Sequence, residues 1–346
     1  MATMKDVADR AGVSTATVSH VINGTKKLSP ATTERVLTAI REIGYNPNTL
    51  AKSLRSGQTR LIGVLVEDIR GMPVPDIVAG IGDVLNKAGY RMLLADLHLL
   101  EQLYNRYEQI GVYRTRINDA VSLLLSSRVE GIIYVGMHDR HLDFLFDPAD
   151  KPLVFAYSHG TARDTFVTYA NLDSAAEMTT HLIRMGHTRI AVIAGHPHSY
   201  PTMKRLNGFQ LAFQRAGLSI PDGYILYGDW EYRSGYEKAK EFLSLNPRPT
   251  AIFAMNDLMA AGAMHAITEA GLRIPEDISV VGFDNREISK VLQPALTTVA
   301  IPTRQIGVRA AMCLLEHIQN PNAVPGREIL PCEIIERDSA AAPKEV

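Results

Sequence analysis

From Leu61 onward the chain alternates short apolar runs with amphipathic stretches, and this alternation restricts the fold more than any other feature. Leu61–Val66, Tyr90–Ala95, Val129–Val135 and Leu153–Ala156 read as buried strands. Asp76–Gly89 and a long segment around Glu101–Ser127 read as helices between them. After Asn171 the pattern restarts, with helices Asp173–Met185, Pro201–Ala216, Tyr232–Leu245 and Asp257–Ala270 separating strands Arg189–Ala194, Tyr224–Tyr227, Ala251–Ala254 and Ile278–Phe283. Strand–helix alternation implies parallel sheets with helices on both faces. Two such runs imply two doubly wound lobes, and ligands of such folds sit beyond the C-terminal ends of the strands. The cleft between the lobes is therefore the expected binding site. Its candidates at strand ends are Arg205, Trp230 (the only Trp), Asn256 and Asp284. A guanidinium, an amide, a carboxylate and one aromatic face suit a sugar, whose hydroxyls need planar hydrogen-bond partners and whose ring needs a flat surface.

The first 60 residues follow a different pattern. Thr3 is placed to cap a helix over Met4–Ala11, with Asp6 completing a capping box. Gly12-Val13 forms a turn, and Ser14 caps a second helix whose Val18, Val21 and Ile22 face inward. Thr15, Ala16, Thr17, Ser19 and His20 are left facing outward, a small polar face that suits base edges and phosphates in a major groove. Such surfaces also occur without DNA. A third helix is capped by Ser29, opens with Pro30 and ends before Gly44, with Val36, Leu37, Ile40 and Ile43 as its core stripe. Pro47 then breaks the chain, and Asn48 can cap a helix over Thr49–Arg55 too short to hold itself in water. On it Lys52 and Arg55 offer phosphate or minor-groove contacts, and Leu54 has the character of an intercalating wedge. Charge supports that reading over an ordinary linker: residues 1–60 hold nine Lys/Arg against four acids, +5 on a chain of net charge −1. A basic head on an acidic body fits nucleic-acid binding by the head alone.

At 346 residues the chain is too long for one core. No apolar run reaches membrane-spanning length and no signal peptide precedes the head, so the expectation is a cytoplasmic protein that joins the nucleoid when bound to DNA. Cys313 and Cys332 are too few for a disulfide framework. Catalytic and metal patterns are weak. Ser158-His159-Gly160 has half of a nucleophile elbow, but position 156 is Ala rather than Gly. His181 and His187 fall on different helix faces, and no P-loop or Gly-rich dinucleotide loop is present. No cofactor, metal or catalytic residue is expected. A transport-type binding protein would need export, and the head stands where its signal would be.

Met4-Lys5-Asp6-Val7-Ala8, Gly12-Val13-Ser14, Thr17-Val18-Ser19, Val21-Ile22-Asn23 and Ser53-Leu54 together resemble the lactose-repressor (LacI/GalR) family of bacterial regulators. The resemblance resumes at Arg205–Phe209, Gly228-Asp229-Trp230, Ala254–Asp257 and Gly282-Phe283-Asp284 and covers nearly the whole chain. It implies a ligand-responsive repressor that binds pseudo-palindromic operator DNA as a homodimer. DNA contacts would come from Thr3, Lys5, Ser14, Thr15, Ala16, Thr17, Ser19, His20 and Asn23 in the head. Ala51, Lys52, Leu54 and Arg55 would add them from a hinge helix whose leucine prises open a central base step. The effector would be a small sugar-like molecule held by Arg205, Trp230, Asn256 and Asp284, with Met72 and Pro73 as an apolar wall and Asp139 as a further contact. The alternative is the same regulator sensing a sugar phosphate, nucleoside or purine as corepressor, with His196, His198 and Lys204 as anion ligands; the plainer reading of those three is a solvated loop.

The expected layout is an all-α head over 1–46, a hinge over 47–60 and a body over 61–340. Lobe one takes 61–160 and 293–322, and lobe two takes 161–292 and 323–340. Leu296–Ile301 and a helix near Arg304–Ile318 should return to lobe one, and Glu328–Ile335 to lobe two. The Leu97–Arg116 segment, rich in Tyr and Arg, is longer than usual for the family.

Overall fold

The computed structural model describes residues 2–23, 25–45, 59–104, 106–142, 148–161 and 164–344. The chain separates into two compact units, Met1–Thr59 and Arg60–Val346.

Among the described residues, the first unit is three helices, α1 (Met4–Ala11), α2 (Thr15–Asn23) and α3 (Pro30–Glu42). The capping box forms: Thr3 Oγ1 accepts from the Asp6 amide, and Asp6 accepts from the Thr3 amide at 2.7 Å. Gly12 follows in the left-handed region at φ 63°, where a side chain would be strained. Ser14 Oγ accepts from the Thr17 amide at 3.1 Å and opens α2. Val7, Ala8, Ala11, Val18, Val36 and Ala39 make the small core. Leu37 departs from the sequence reading. It is 46% exposed, and Ala39 fills the core instead, because Val36, Ala39, Ile40 and Ile43 share one helix face and Leu37 points about 100° away. The expected contacts Ala51, Lys52, Leu54 and Arg55 lie outside the described residues.

The second unit holds three sheets among the described residues. β1 (Leu61–Val66), β2 (Arg91–Asp96), β3 (Gly131–Val135), β4 (Leu153–Ala156), β5 (Thr165–Tyr169) and β11 (Arg327–Leu330) form a six-stranded parallel sheet in the order β11-β5-β4-β3-β1-β2. β6 (Ile190–Ala194), β7 (Ile225–Tyr227), β8 (Ala251–Ala254) and β9 (Ser279–Val281) form a four-stranded parallel sheet in the order β7-β6-β8-β9. β10 (Thr298–Ala300) and β12 (Glu333–Ile335) pair antiparallel. The central strands β3 and β6 are buried along their whole length, as parallel strands covered on both faces must be.

Helices α4 (Val74–Lys87), α6 (Arg114–Ser126) and α12 (Thr303–Gln319) pack with the first sheet, and α4 and α12 touch closely. A Cβ on Gly307 would overlap the Ile77 carbonyl, so only glycine permits that approach. In the second half α7 (Asn171–Arg184) packs on α8 (Tyr200–Arg215), and α9 (Tyr232–Leu243) and the short α11 (Ile288–Val291) pack on α10 (Asp257–Glu269).

Three expectations are corrected. The long helix over Glu101–Ser127 is broken into α5 (Leu100–Leu103), a 3-10 segment Tyr107–Tyr113, and α6. The break follows Tyr104, whose φ of 44° is incompatible with continuing a right-handed helix. Strand β5 belongs to the six-stranded sheet, so that sheet runs on to Tyr169 rather than ending near 160. The late crossings are also redistributed. Glu328 lies in β11, which joins the first sheet beside β5, while Leu296–Ile301 supplies β10, which pairs with β12 instead. No helix among the described residues is long and apolar enough to cross a membrane.

Candidate functional site

The topology dictates where a cavity opens. In each sheet the strand order reverses at the first strand, β1 in one and β6 in the other, and residues beyond the strand ends face a crevice there. A cavity of about 340 Å³ lies at these ends, at the small end of the ~300–1,000 Å³ typical of ligand sites. The six-stranded sheet contributes Met72 and Pro73 after β1, Leu100 after β2, Met137 and His138 after β3, Tyr157 after β4, and Tyr169 at the end of β5. From the four-stranded sheet come Arg205 on α8 after β6, Trp230 and Glu231 after β7, Asn256 after β8, and Asp284 and Arg286 after β9.

Arg205 is the best-held group. Ser199 caps α8 and Pro201 lies in its first turn, which sets Arg205 in the second turn rather than the first. Its Nε donates to Asn171 Oδ1 at 2.9 Å, one terminal nitrogen donates to the Tyr169 hydroxyl at 3.0 Å, and the other donates to the Met255 carbonyl. Asp284 Oδ1 lies 3.6 Å away, and the guanidinium stacks 3.6 Å above the Phe283 ring. The charge is thus buried but paired and stacked.

Burial pushes the Asp284 carboxyl above the ordinary carboxylate range, while the Arg205 and Arg286 charges hold it down. Asp257, at the head of α10, is raised too, first by burial and then by the Asp284 charge. Asp257 accepts from Thr298 Oγ1 and from the Arg286 amide, each at 2.6 Å, and so ties α10 to the loop after β9 and to β10. That loop is strained: Asp284 and Asn285 have φ of 111° and 55°. Arg337 pins it, donating to Asn285 Oδ1 at 2.7 Å and to the Leu296 carbonyl at 2.6 Å.

Asn256 spends its amide on structure. Its Oδ1 caps α10 by accepting from the Met259 amide at 2.9 Å, and its Nδ2 donates to the Trp230 carbonyl at 2.8 Å. Trp230 itself has φ 74°, its indole lies flush on Gly195, where a Cβ would overlap the ring, and its Nε1 is buried with no hydrogen-bond partner among the described residues. His138 Nε2 lies 2.7 Å from Ser199 Oγ and bridges the two halves of the cavity wall, and burial holds the imidazole well below its ordinary pKa, hence neutral.

Six of the seven effector candidates, Met72, Pro73, Arg205, Trp230, Asn256 and Asp284, line this cavity. Asp139 does not. It is fully buried, accepts from Asn171 Nδ2 at 2.7 Å and pairs with His159 at 2.9 Å, so it orients the amide that holds Arg205 rather than facing the space. His196, His198 and Lys204 are also absent from the wall. Arg70, Leu100, His138, Tyr157 and Arg286 join the wall without having been expected there. Each follows a strand end, so the rule that finds Asp284 finds most of them when it is applied to every strand. Arg70 is spent on Asp68 and Glu101. Asp68, Asp96 and His98 are grouped like metal ligands, but Asp68 is filled by Arg70 and by the Leu100 amide.

In the head, Lys5, Ser14, Thr15 and Ala16 are exposed, and Thr17, Ser19 and His20 are half-buried. Thr3 is committed to the capping box, and His20 Nδ1 lies 2.8 Å from Thr25 Oγ1. Asn23 ends α2.

Residues 3–48 match the model of bacterial regulatory proteins of the lacI family, and residues 179–340 match a periplasmic binding protein-like domain. The ribose operon repressor of Escherichia coli (strain K12) is 36% identical over 343 residues, covering 98% of this chain and 100% of that one. The chain belongs to the lacI family of bacterial regulatory proteins. It is a ligand-responsive, DNA-binding transcription regulator and not an enzyme. The PurR transcriptional repressor of Photobacterium profundum is 33% identical, covering 93% of each chain. Among solved structures, the lac repressor dimer bound to operator and the anti-inducer ONPF matches with a TM-score of 0.81 at 31% identity over 99% of both chains.

Proposed function

We propose that this lacI-family member represses a carbohydrate-utilisation operon, binding a pseudo-palindromic operator as a homodimer and responding to a small sugar-like effector in the cavity. The cavity carries the reading: its walls come from strand ends of both parallel sheets, so a ligand that fills it bears on both at once. Arg205, Asp284 and Asn256 line it, Trp230 offers a ring face, and Met72 and Pro73 offer an apolar wall. This combination suits hydroxyls on one side and ring C–H on the other. The DNA contacts are assigned to Lys5, Ser14, Thr15, Ala16, Thr17, Ser19, His20 and Asn23 in the head, with Thr3 as the cap. Ala51, Lys52, Leu54 and Arg55 are assigned to a hinge over 47–60 that joins the head (1–46) to the body. The site of action is the cytoplasm, at the nucleoid when operator-bound.

Effector binding changes how the two sheets meet, and a hinge helix too short to stand alone then forms or melts. A few kcal/mol of differential affinity is enough to shift such an equilibrium. The test is a thermal-unfolding screen of the full-length protein against sugars, sugar phosphates, nucleosides and purines. A ligand at a hundred times its Kd adds about 2.7 kcal/mol. A sugar that stabilises the wild type but not Asp284→Ala supports the reading. Stabilisation by purines alone moves the function to the corepressor class.

A further inference from the structure

Within the cavity nearly every charged group is already committed. Arg70 is held by Asp68 and Glu101, and Arg205 by Asn171, Tyr169, Met255 and Asp284. Arg286 differs. Its backbone is fixed at both ends, the amide donating to Asp257 and the carbonyl accepting from Ser289 Oγ at 2.6 Å. Its side chain lines the cavity and makes no hydrogen bond or ion pair with any other described residue, although its charge is felt by Asp284 and Asp257. Among the described residues of the wall, the strained loop therefore carries the one arginine whose side chain is not already spent.

We propose that the effector is a singly charged sugar acid, a uronate- or aldonate-like carboxylate, whose carboxylate pairs with Arg286. The proposal rests on the cavity being the effector site. A planar guanidinium matches a planar carboxylate through two parallel hydrogen bonds. A phosphate brings about −1.5 to −2 charges against this single free cation. It would also meet Asp284 and the exposed Glu231, both on the cavity wall. A carboxylate meets the same two acids with a smaller charge and so with less repulsion. A neutral sugar would leave Arg286 without a counter-charge from the ligand. The cavity volume of about 340 Å³ favours a monosaccharide-sized ligand over a longer chain.

The test is calorimetric titration of the full-length wild type, Arg286→Gln and Asp284→Ala with matched probes: glucose, glucuronate, gluconate and glucose 6-phosphate, then galactose and galacturonate. At least one carboxylate should bind the wild type ten-fold or more tighter than its neutral parent, and in Arg286→Gln that ratio should fall to near one. Thermal unfolding of the ligand-free Arg286→Gln protein should fall below the wild type only by what the charge lends to Asp284 and Asp257, since the side chain makes no hydrogen bond to a described residue. A neutral parent that binds as tightly as its acid overturns the proposal, as does a carboxylate preference that survives Arg286→Gln. A phosphate that outcompetes the carboxylates overturns the single-charge assignment, and no binding by any carboxylate overturns the proposal as a whole. If Asp284→Ala leaves all binding intact, the cavity itself is the wrong site, a failure distinct from that of Arg286.

Discussion

Replacing Arg205 with Met keeps most of the side-chain volume and removes only the guanidinium, so the outcome measures what that group holds. Four partners lose their donor or counter-charge: Asn171 Oδ1, the Tyr169 hydroxyl, the Met255 carbonyl and the Asp284 carboxylate. Breaking a buried pair by removing one partner costs about 3–5 kcal/mol, and orphaned neutral acceptors cost about 1–3 kcal/mol each before relaxation. Asp284 can escape part of the penalty by taking up a proton, so the expected net loss is about 4 kcal/mol. At about 2 °C per kcal/mol for a unit of this size, the second unit's Tm should fall by about 8 °C. The head, a separate unit, should melt as before.

The pH dependence gives the sign. An acid raised in the folded state binds its proton more readily folded than unfolded. Its contribution is most favourable below the unfolded pKa and is lost as pH rises toward the folded one. Removing Arg205 raises Asp284 further and extends that loss to higher pH. The destabilisation of Arg205→Met should therefore be larger at about pH 8 than at about pH 5, measured by calorimetric unfolding at both. A variant within about 1 kcal/mol of wild type at the higher pH, or one destabilised more at the lower, would refute this account of the site.

Other expectations follow from single contacts. Gly195→Ala should displace the indole that lies on it, shifting the emission of the only Trp and weakening effector binding by an order of magnitude or more, both read in one fluorescence titration. Gly307→Ala should separate α4 from α12 and lower the second unit's Tm, while Gly217→Ala, with open space around it, should cost only the strain of its φ of 66°. Thr3→Ala removes the capping box of α1 and should cost the head about 0.5–2 kcal/mol in thermal unfolding followed by circular dichroism. Leu54→Ala should weaken operator binding while leaving effector affinity unchanged, checked by anisotropy with a labelled duplex.

Much of this architecture is legible in the sequence because buried parallel strands are continuous apolar runs. Leu61–Val66, Leu153–Ala156 and Ala251–Ala254 agree to the residue. Strand β5 is hidden because Thr165 and Thr168 interrupt the run, although Thr is a good strand former. Where β11 and β12 go depends on which neighbour pairs with them, and no local pattern encodes that. The break at Tyr104 is set by one backbone angle that a Tyr-rich segment does not announce. At the site, Arg205 and Asp284 are visible as polar residues after apolar strands. Asp139 misleads because a carboxylate after a strand looks the same whether it faces a cavity or, as here, an asparagine behind it. Arg286, two residues beyond Asp284, falls under the same strand-end rule, but an arginine in a loop looks the same whether it lines a cavity or an open surface.

The central claim is that a ligand in the cavity controls DNA binding through the segment joining the two units. The most direct measurement is the affinity of the full-length protein for its operator, selected from random-sequence duplexes, with and without a ligand that thermal unfolding has shown to bind. The account predicts at least a ten-fold change in operator Kd that disappears in Asp284→Ala. Saturating ligand that leaves the operator Kd unchanged would contradict it.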